Sequence, residues 1–455
     1  MNIHPFYMKD FYKVGHIHQY PKDMTLIFSN FTPRTHASIF FGLKYFIEEY
    51  LKNKLNDWFN YTNPENIYKS DMMKWLGSTA DFSHINKLRD LGYWPIAIYA
   101  LREGALVPKG VPAFVMYNTH SEFAWVPGIL ETIMSCILWG PCTSATIAYR
   151  YRNILDKYAQ ETSDNLSFVD YQAHDFSFRG MYGLEAAMLS GAAHLQYFKG
   201  TDTIPAILLQ NDIYNRNIGC SVPATEHSVM STYGKDNELE TYRKLITEIY
   251  PSGVVSIVSD TWDLWNVVDN YLPILADDIM ARNGTVVIRP DSGNPYDIII
   301  GKLNERGLIE RLWNIFGGKT NSKGYKELDP HIGAIYGDAI KLDTCESILE
   351  GLKQKGFAST NIIFGIGSYS YQYNTRDTFG WAMKSTYCEI KGFPRDIFKD
   401  PKTDNGTKRS HKGLLKVVKE EMHDYEVIQG TTWDKFHQED NELKLVFRDG
   451  KVKKL

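Results

Sequence analysis

The 455-residue chain carries two different patterns of apolar and polar positions. Over the first ~150 residues, helical and strand spacings mix without strict alternation. Residues 39–54 have apolar side chains at helical spacing. Residues 95–101 and 111–117 read as strands, and 128–138 and 146–158 read as two helices. From about residue 171 a unit recurs in which a short apolar run ends in a polar loop and a helix follows. The run 253–258 leads to Ser259-Asp260. The run 285–288 leads to Arg289-Pro290-Asp291-Ser292-Gly293. Ile335 precedes Gly337-Asp338, and 362–364 leads to Gly365-Ile366-Gly367-Ser368. The helix after Ile340 is expected to start with Asp343 as N-cap and Glu346 as its capping-box partner, and to stop at Gly356.

Short β-branched runs alternating with helices predict parallel strands buried on both faces, arranged as a (β/α) barrel or a doubly wound sheet. In a barrel the loops after the strands gather at one mouth, where such folds place their chemistry. The polar residues just named all fall at strand ends. After Lys384 the pattern turns to extended segments and charge. Residues 443–448 alternate, and Asp449-Gly450 follows as a hairpin signal. The tail is expected to complete a β-rich lobe with the N-terminal part.

Composition narrows the picture. Hydrophobic residues are 43% and charged residues 23% of the chain, which excludes a disordered or polytopic membrane protein. A net charge of -4 is no footprint for bulk nucleic-acid binding. The five cysteines are scattered, odd in number and without a Cys-x-x-Cys pair, so a disulfide framework and a zinc site are not expected; a reducing, cytoplasmic setting fits. No signal-peptide pattern opens the chain. The apolar stretch 123–139 reads as too short and too interrupted to span a bilayer.

The candidate motifs admit functional and structural readings side by side. In Arg289-Pro290-Asp291-Ser292-Gly293, Arg289 either holds an anionic oxygen while Asp291 accepts ribose hydroxyls, or the two pair locally and order a turn. Gly365-Ile366-Gly367-Ser368 either lets backbone N–H groups approach a phosphate or makes a tight turn. His227, after Glu226, is an acid/base, a phosphate acceptor, a metal ligand or a structural histidine. Asp202 in KGTDT offers an acceptor to an amide donor. Phe176 and Arg179 in HDFSFRG offer a stacking ring and an anion partner, against a capped helix start and a core phenylalanine. Lys399 and Lys408 sit in a basic stretch that is either a solvated loop or a neutraliser of phosphate charge.

Taken together these segments resemble the nicotinamide phosphoribosyltransferase family. The matching stretches are Asp10-Phe11-Tyr12-Lys13-Val14 with Gln19-Tyr20-Pro21, HDFSFRG (174–180), AAHLQYFKGTDT (192–203), SVPATEHS (221–228), SIVSD (256–260), IRPDSGNP (288–295), NSKGYK (321–326), YGDAI (336–340), TRD (375–377) and FKDP (398–401). They run in family order over nearly the whole chain. The resemblance implies a type II phosphoribosyltransferase fold, an α/β class with an irregular (β/α) barrel over 151–385. A β-rich lobe would be formed by 1–150, which also contributes to a dimer interface, and by 386–455. It implies a homodimer with sites at the interface, and conversion of nicotinamide and 5-phosphoribosyl 1-pyrophosphate to nicotinamide mononucleotide and pyrophosphate, with Mg2+.

By the same resemblance, Phe176 stacks on the pyridine ring, Tyr12 of the second subunit covers its other face, and Asp202 accepts the carboxamide N–H. Arg179, Arg289 and Asp291 surround the amide, ribose and phosphate, and Ser256 is among the phosphoribosyl and phosphate contacts. Gly337 and Asp338 lie at the ribose, and Gly367 and Ser368 form the 5′-phosphate loop. Arg376 and Lys384, with Arg34, Lys399 and Lys408 of the second subunit, contact phosphates. His227 is the histidine phosphorylated when ATP hydrolysis is coupled to synthesis, and Asp260 its carboxylate neighbour. No metal ligand is assigned, since Mg2+ would be held mainly by pyrophosphate and water. Two segments depart from the family pattern: Ser368-Tyr369 replaces glycines in the phosphate loop, and Ser177-Phe178 replaces Gly-Tyr after HDF. The alternatives are a nicotinate phosphoribosyltransferase on the same fold, or an inactive homologue acting as a binding protein.

Overall fold

A computed structural model of the chain describes residues 5–60, 64–77, 81–337, 339–399, 410–419 and 424–453. Asp338 and Lys408 lie outside the described residues. The chain forms two compact units, one of residues 1–143 with 375–455 and one of residues 144–374.

The first unit is built on a seven-stranded sheet in the order Phe393–Asp396, Ala382–Ile390, Met24–Thr32, Phe114–Asn118, Ile96–Ala100, Lys444–Arg448, Lys451–Val452. Every pairing in it is antiparallel. Both ends of the chain therefore share one sheet. Ala382–Ile390 belongs here because it pairs along its length with Met24–Thr32, so the barrel unit stops at 374 where the sequence pattern had suggested 385. Asp449 and Gly450 both take positive φ, as a two-residue type I′ hairpin requires. Phe31 stacks between Phe114 and Trp381, with ring centroids 5.1 and 4.6 Å away, and all three side chains are buried.

Three local expectations are corrected. The two helices expected at 128–138 and 146–158 are one helix, Val126–Thr162, with Pro141 inside it. The Pro141 ring seats against Gly42, where a Cβ would come within 3.0 Å of it, and Thr143 Oγ1 donates to the Trp139 carbonyl. This 37-residue helix is long and apolar enough to cross a membrane, contrary to the reading of 123–139. Its most apolar stretch is 56% buried within the protein, as in a core helix. The helix Leu342–Gln354 is preceded by Lys341 as N-cap, so Asp343 lies inside the first turn and no capping box forms. Gly356, at φ +76°, does end it, its N–H donating to the Lys353 carbonyl.

The second unit holds six parallel strands, β1 Ala173–Asp175, β2 Gly200–Thr201, β3 Val255–Val258, β4 Val286–Arg289, β5 Ile332–Tyr336 and β6 Ile363–Ile366. Their order is β2-β1-β6-β5-β4-β3. The irregular segment 220–225 closes the ring. Cys220 bridges Gly200 on one side, and Ala224 bridges Ser256 on the other, both in parallel. The Thr201 N–H donates to Cys220 O, and the Thr225 N–H to Ser256 O. The result is an irregular (β/α) barrel of the expected class. Outward positions such as Val286, Ile288, Phe364 and Ile366 are fully buried, as expected where helices cover the sheet.

Candidate active site in the barrel lumen

Alternate residues of each strand face the lumen. His174 and Phe176 follow from β1, Gly200 and Asp202 from β2, Ser256 from β3, Val287 and Arg289 from β4, Ile335 from β5, and Ile363 from β6. Together with Tyr171, Cys220, Ser221, Val222, Ala224 and Val254 they line a cavity of about 110 Å3. Most of its wall is apolar, and Asp202 and Arg289 stand at the C-terminal ends of β2 and β4. A site of this kind suits a flat ring with one polar substituent.

Small residues make room for the aromatic wall. A Cβ on Gly365 would stand 2.5 Å from Gly337 Cα and 2.6 Å from Phe176 Cδ2. A Cβ on Gly200 would stand 2.6 Å from His174 Nδ1. The Phe176 ring thus lies on a floor of two glycines, and its N–H is fixed by the Ile366 carbonyl at 2.9 Å. The His174 and Phe176 ring centroids are 4.6 Å apart.

Asp202 sits at the rim. Its Oδ1 is 2.8 Å from His174 Nε2 and accepts the Ser221 hydroxyl at 2.5 Å. Burial pushes its pKa up, but the hydrogen bonds from His174 and Ser221 and the charges of His174 and Arg289 outweigh it and hold it below the usual value. Asp202 is therefore an ionised acceptor. Beneath it, Asp175 is fully buried and accepts from the Ser177 N–H and from the hydroxyls of Ser177, Thr201 and Thr203. That hub ties the β1 and β2 loops together.

Arg289 does not form the local Arg–Asp pair weighed for this loop. It donates to the Thr225 carbonyl and leaves Nε buried without a partner. Burial lowers its pKa, and the carboxylates of Asp291, Asp202 and Asp260 oppose that; a guanidinium remains charged under such a shift. The turn is instead ordered by Asp260, whose Oδ2 accepts the Asp291 N–H at 2.8 Å and the Ser292 hydroxyl at 2.5 Å. Ser256 Oγ is also buried without a partner and faces the lumen.

A second cluster stands beside this loop. His227 Nε2 is 3.9 Å from both Asp260 Oδ1 and Asp291 Oδ2, and Nδ1 is 3.1 Å from Thr261 Oγ1. Glu226 plays no part in it, since its carboxylate accepts the Ser228 hydroxyl. Asp260 Oδ1 is buried and accepts no hydrogen bond. Among the described residues no three His, Cys, Asp or Glu side chains converge as a metal cage. The pair Asp260 and Asp291 does suit a Mg2+ held chiefly by phosphate oxygens and water, which takes one or two protein carboxylates.

Arg179 is exposed on the turn Phe178–Gly180. Gly180 packs on Ser368, where a Cβ would come within 2.4 Å of Oγ. In the first unit, Lys384 lies near Arg34, Arg376 and Lys399. Its pKa is lowered by burial first, then by those three charges, with Glu131 opposing. Tyr12 of the same unit is exposed. His174 and Ser221 had been given no role from the sequence, and Gly365 had been read only as part of a phosphate-approaching or tight turn, not as the floor under Phe176. Their signal is positional, since each falls on the lumen-facing alternation or beside it.

A model of the nicotinate phosphoribosyltransferase (NAPRTase) family matches residues 171–450. A model of the nicotinamide phosphoribosyltransferase N-terminal domain matches residues 5–98. The nicotinamide phosphoribosyltransferase of Acinetobacter baylyi is 43% identical, over 99% of this chain and 94% of its own. That of Xanthomonas campestris is 37% identical, over 72% and 69%. Among solved structures, nicotinate-nucleotide pyrophosphorylase from Pyrococcus furiosus aligns with TM-score 0.59 at 13% identity, covering 98% of this chain and 89% of that one. Human nicotinic acid phosphoribosyltransferase aligns with TM-score 0.56 at 13% identity, covering 98% and 90%. The structural matches establish the shared barrel fold. The sequence matches go further, and by them the chain belongs to the nicotinate phosphoribosyltransferase family, among its nicotinamide phosphoribosyltransferase members.

Proposed function

We propose that this protein joins nicotinamide to 5-phosphoribosyl 1-pyrophosphate, giving nicotinamide mononucleotide and pyrophosphate in NAD salvage. The observation that carries the choice of base is Asp202: an ionised acceptor at the rim of an aromatic-walled lumen binds a carboxamide N–H and repels a carboxylate. Breaking the C1′–O bond builds positive charge on the ribose, as in glycoside cleavage. Phe176 holds the pyridine nitrogen in line with C1′, which is catalysis by positioning. Arg289 and Asp291 face the ribose and its leaving group, with Gly337 on the ribose side and Gly367 and Ser368 toward the 5′-phosphate. Mg2+, held through Asp260 and Asp291, would neutralise charge building on the departing pyrophosphate. The reaction is tested by equal yields of mononucleotide and pyrophosphate from the two substrates.

The site is proposed to be completed by a second copy of the chain. Tyr182, Leu184 and Ile204 are 90, 63 and 67% exposed, and they flank Arg179 and Asp202 in sequence. Such an apolar rim calls for cover. The partner would bring Tyr12 to the open ring face and Arg34 and Lys399 to the phosphates; Arg376 and Lys384 would act on the phosphates as well. Mixing inactive Tyr12→Ala and Phe176→Ala protomers should then restore about a quarter of wild-type activity, because half of randomly exchanged dimers are mixed and each keeps one intact site. No recovery after demonstrated subunit exchange would refute sharing.

His227 is proposed to accept phosphate from ATP. Its exposure, and its place between Thr261 and two carboxylates, support this. Incubation with γ-labelled ATP should place an acid-labile, base-stable label on His227. His227→Ala should lose the label and ATP stimulation while keeping ATP-independent synthesis. An unlabelled wild-type protein that still makes the mononucleotide would be an uncoupled enzyme.

A further inference from the structure

The phosphate turn after β6 continues into a four-residue helix, Ser368–Tyr371. One helical turn does not hold itself in water, and here side chains on several sides fix it. Ser368 rests on Gly180. Gln372 Oε1 accepts the Tyr182 N–H at 2.9 Å. Ser370 Oγ donates to the Ile340 carbonyl at 2.9 Å and lies 2.7 Å from Tyr151 Oη. Tyr371 reaches across to the base side: its Oη is 2.7 Å from His194 Nδ1, and His194 Nε2 is 3.0 Å from the Gly200 carbonyl.

Both side chains are buried, and the bonds have a defined direction. A carbonyl only accepts, so Nε2 carries the imidazole proton. Nδ1 is then bare and accepts the Tyr371 O–H. Burial pushes the His194 pKa down to about 4 and the Tyr371 pKa well up, so neither group changes protonation near neutral pH. Gly200 pairs with His174 in the sheet, His174 bonds to Asp202, and Asp202 follows Gly200 by two residues. A continuous set of contacts thus runs from the phosphate helix to the base-reading carboxylate.

We infer that Tyr371 and His194 are positioning residues that couple the seating of the ribose 5′-phosphate to the placement of the Gly200–Asp202 strand. This rests on the reaction proposed above. Neither side chain touches substrate; each acts through backbone that does.

Tyr371→Phe removes one hydroxyl and keeps the ring. It should raise KM for both phosphoribosyl pyrophosphate and nicotinamide by about five- to tenfold, the effect of one buried hydrogen bond, with kcat changed less than about twofold. His194→Leu, which removes the acceptor for Tyr371 together with the donor to the Gly200 carbonyl, should raise both KM values at least as much. The double variant should be no worse than the more affected single one, because both remove the same bond. A role limited to stability would lower the melting midpoint and the active fraction, and unchanged KM values for both substrates in either folded variant would overturn the inference. A wild-type protein inactive toward nicotinamide would count against the reaction and not against the coupling. In that case the coupling is read from the ribose 5-phosphate concentration giving half-maximal thermal stabilisation, which should rise in Tyr371→Phe; no change there would overturn it.

Discussion

Gly365→Ala should lower kcat/KM for mononucleotide synthesis by about a hundredfold or more while leaving a folded protein. The added methyl would stand 2.5 Å from Gly337 Cα and 2.6 and 2.9 Å from two carbons of the Phe176 ring. Neither obstacle is the far end of a flexible side chain. Gly337 Cα is backbone just past the end of β5, and the ring is already fixed through its own backbone. Phe176 must tilt out of the plane in which it meets the base, and displacement on the order of 1 Å at a reacting geometry costs about a hundredfold. The outward side chains of β6, Phe364 and Ile366, keep their burial, so far-UV circular dichroism should match wild type. Activity within about threefold of wild type would mean that the glycine floor does not set the ring.

Asp202→Asn should lower the preference for nicotinamide over nicotinate by about ten- to a hundredfold, the weight of a hydrogen bond to a charged acceptor. The substitution keeps shape and removes the charge that repels a carboxylate. His174 and Ser221 both engage Oδ1, which leaves Oδ2 to meet the base. Because the Asp202 pKa is depressed, the carboxylate stays ionised as pH falls through the ordinary Asp range. Base preference in the wild type should persist through that range and fade only below it. Equal kcat/KM ratios for the two bases in variant and wild type would remove Asp202 from base recognition.

Much of the barrel was legible because its strands are short β-branched runs with polar loops at their C-terminal ends. β3, β4, β5 and β6 each carry that signature locally. The segment 220–225, which closes the ring, carries none: it contains Pro223 and makes only single bridges to its neighbours. In the first unit, Met24–Thr32 was not apparent as a strand, since its partner lies at Ala382–Ile390 and long-range pairing leaves no local trace. Gly140-Pro141 reads as a break, yet Gly42 opens a place for the ring and the helix continues. At the site, Phe176, Asp202 and Arg289 were legible from motif and position and Ser256 only through the family resemblance, and the structure gathers the four in one lumen. What the motifs concealed was mutual support. That Asp260 orders the Asp291 turn, while Arg289 turns to a backbone carbonyl, depends on how neighbouring strands align.

Nicotinamide as the base underlies every role assigned to the site. Equimolar nicotinamide and nicotinate, offered together with phosphoribosyl pyrophosphate and Mg2+ in one reaction, test it most directly. Nicotinamide mononucleotide should exceed nicotinate mononucleotide by at least about tenfold, with one pyrophosphate released per product; nicotinate mononucleotide as the main product, or consumption of neither base, would contradict it.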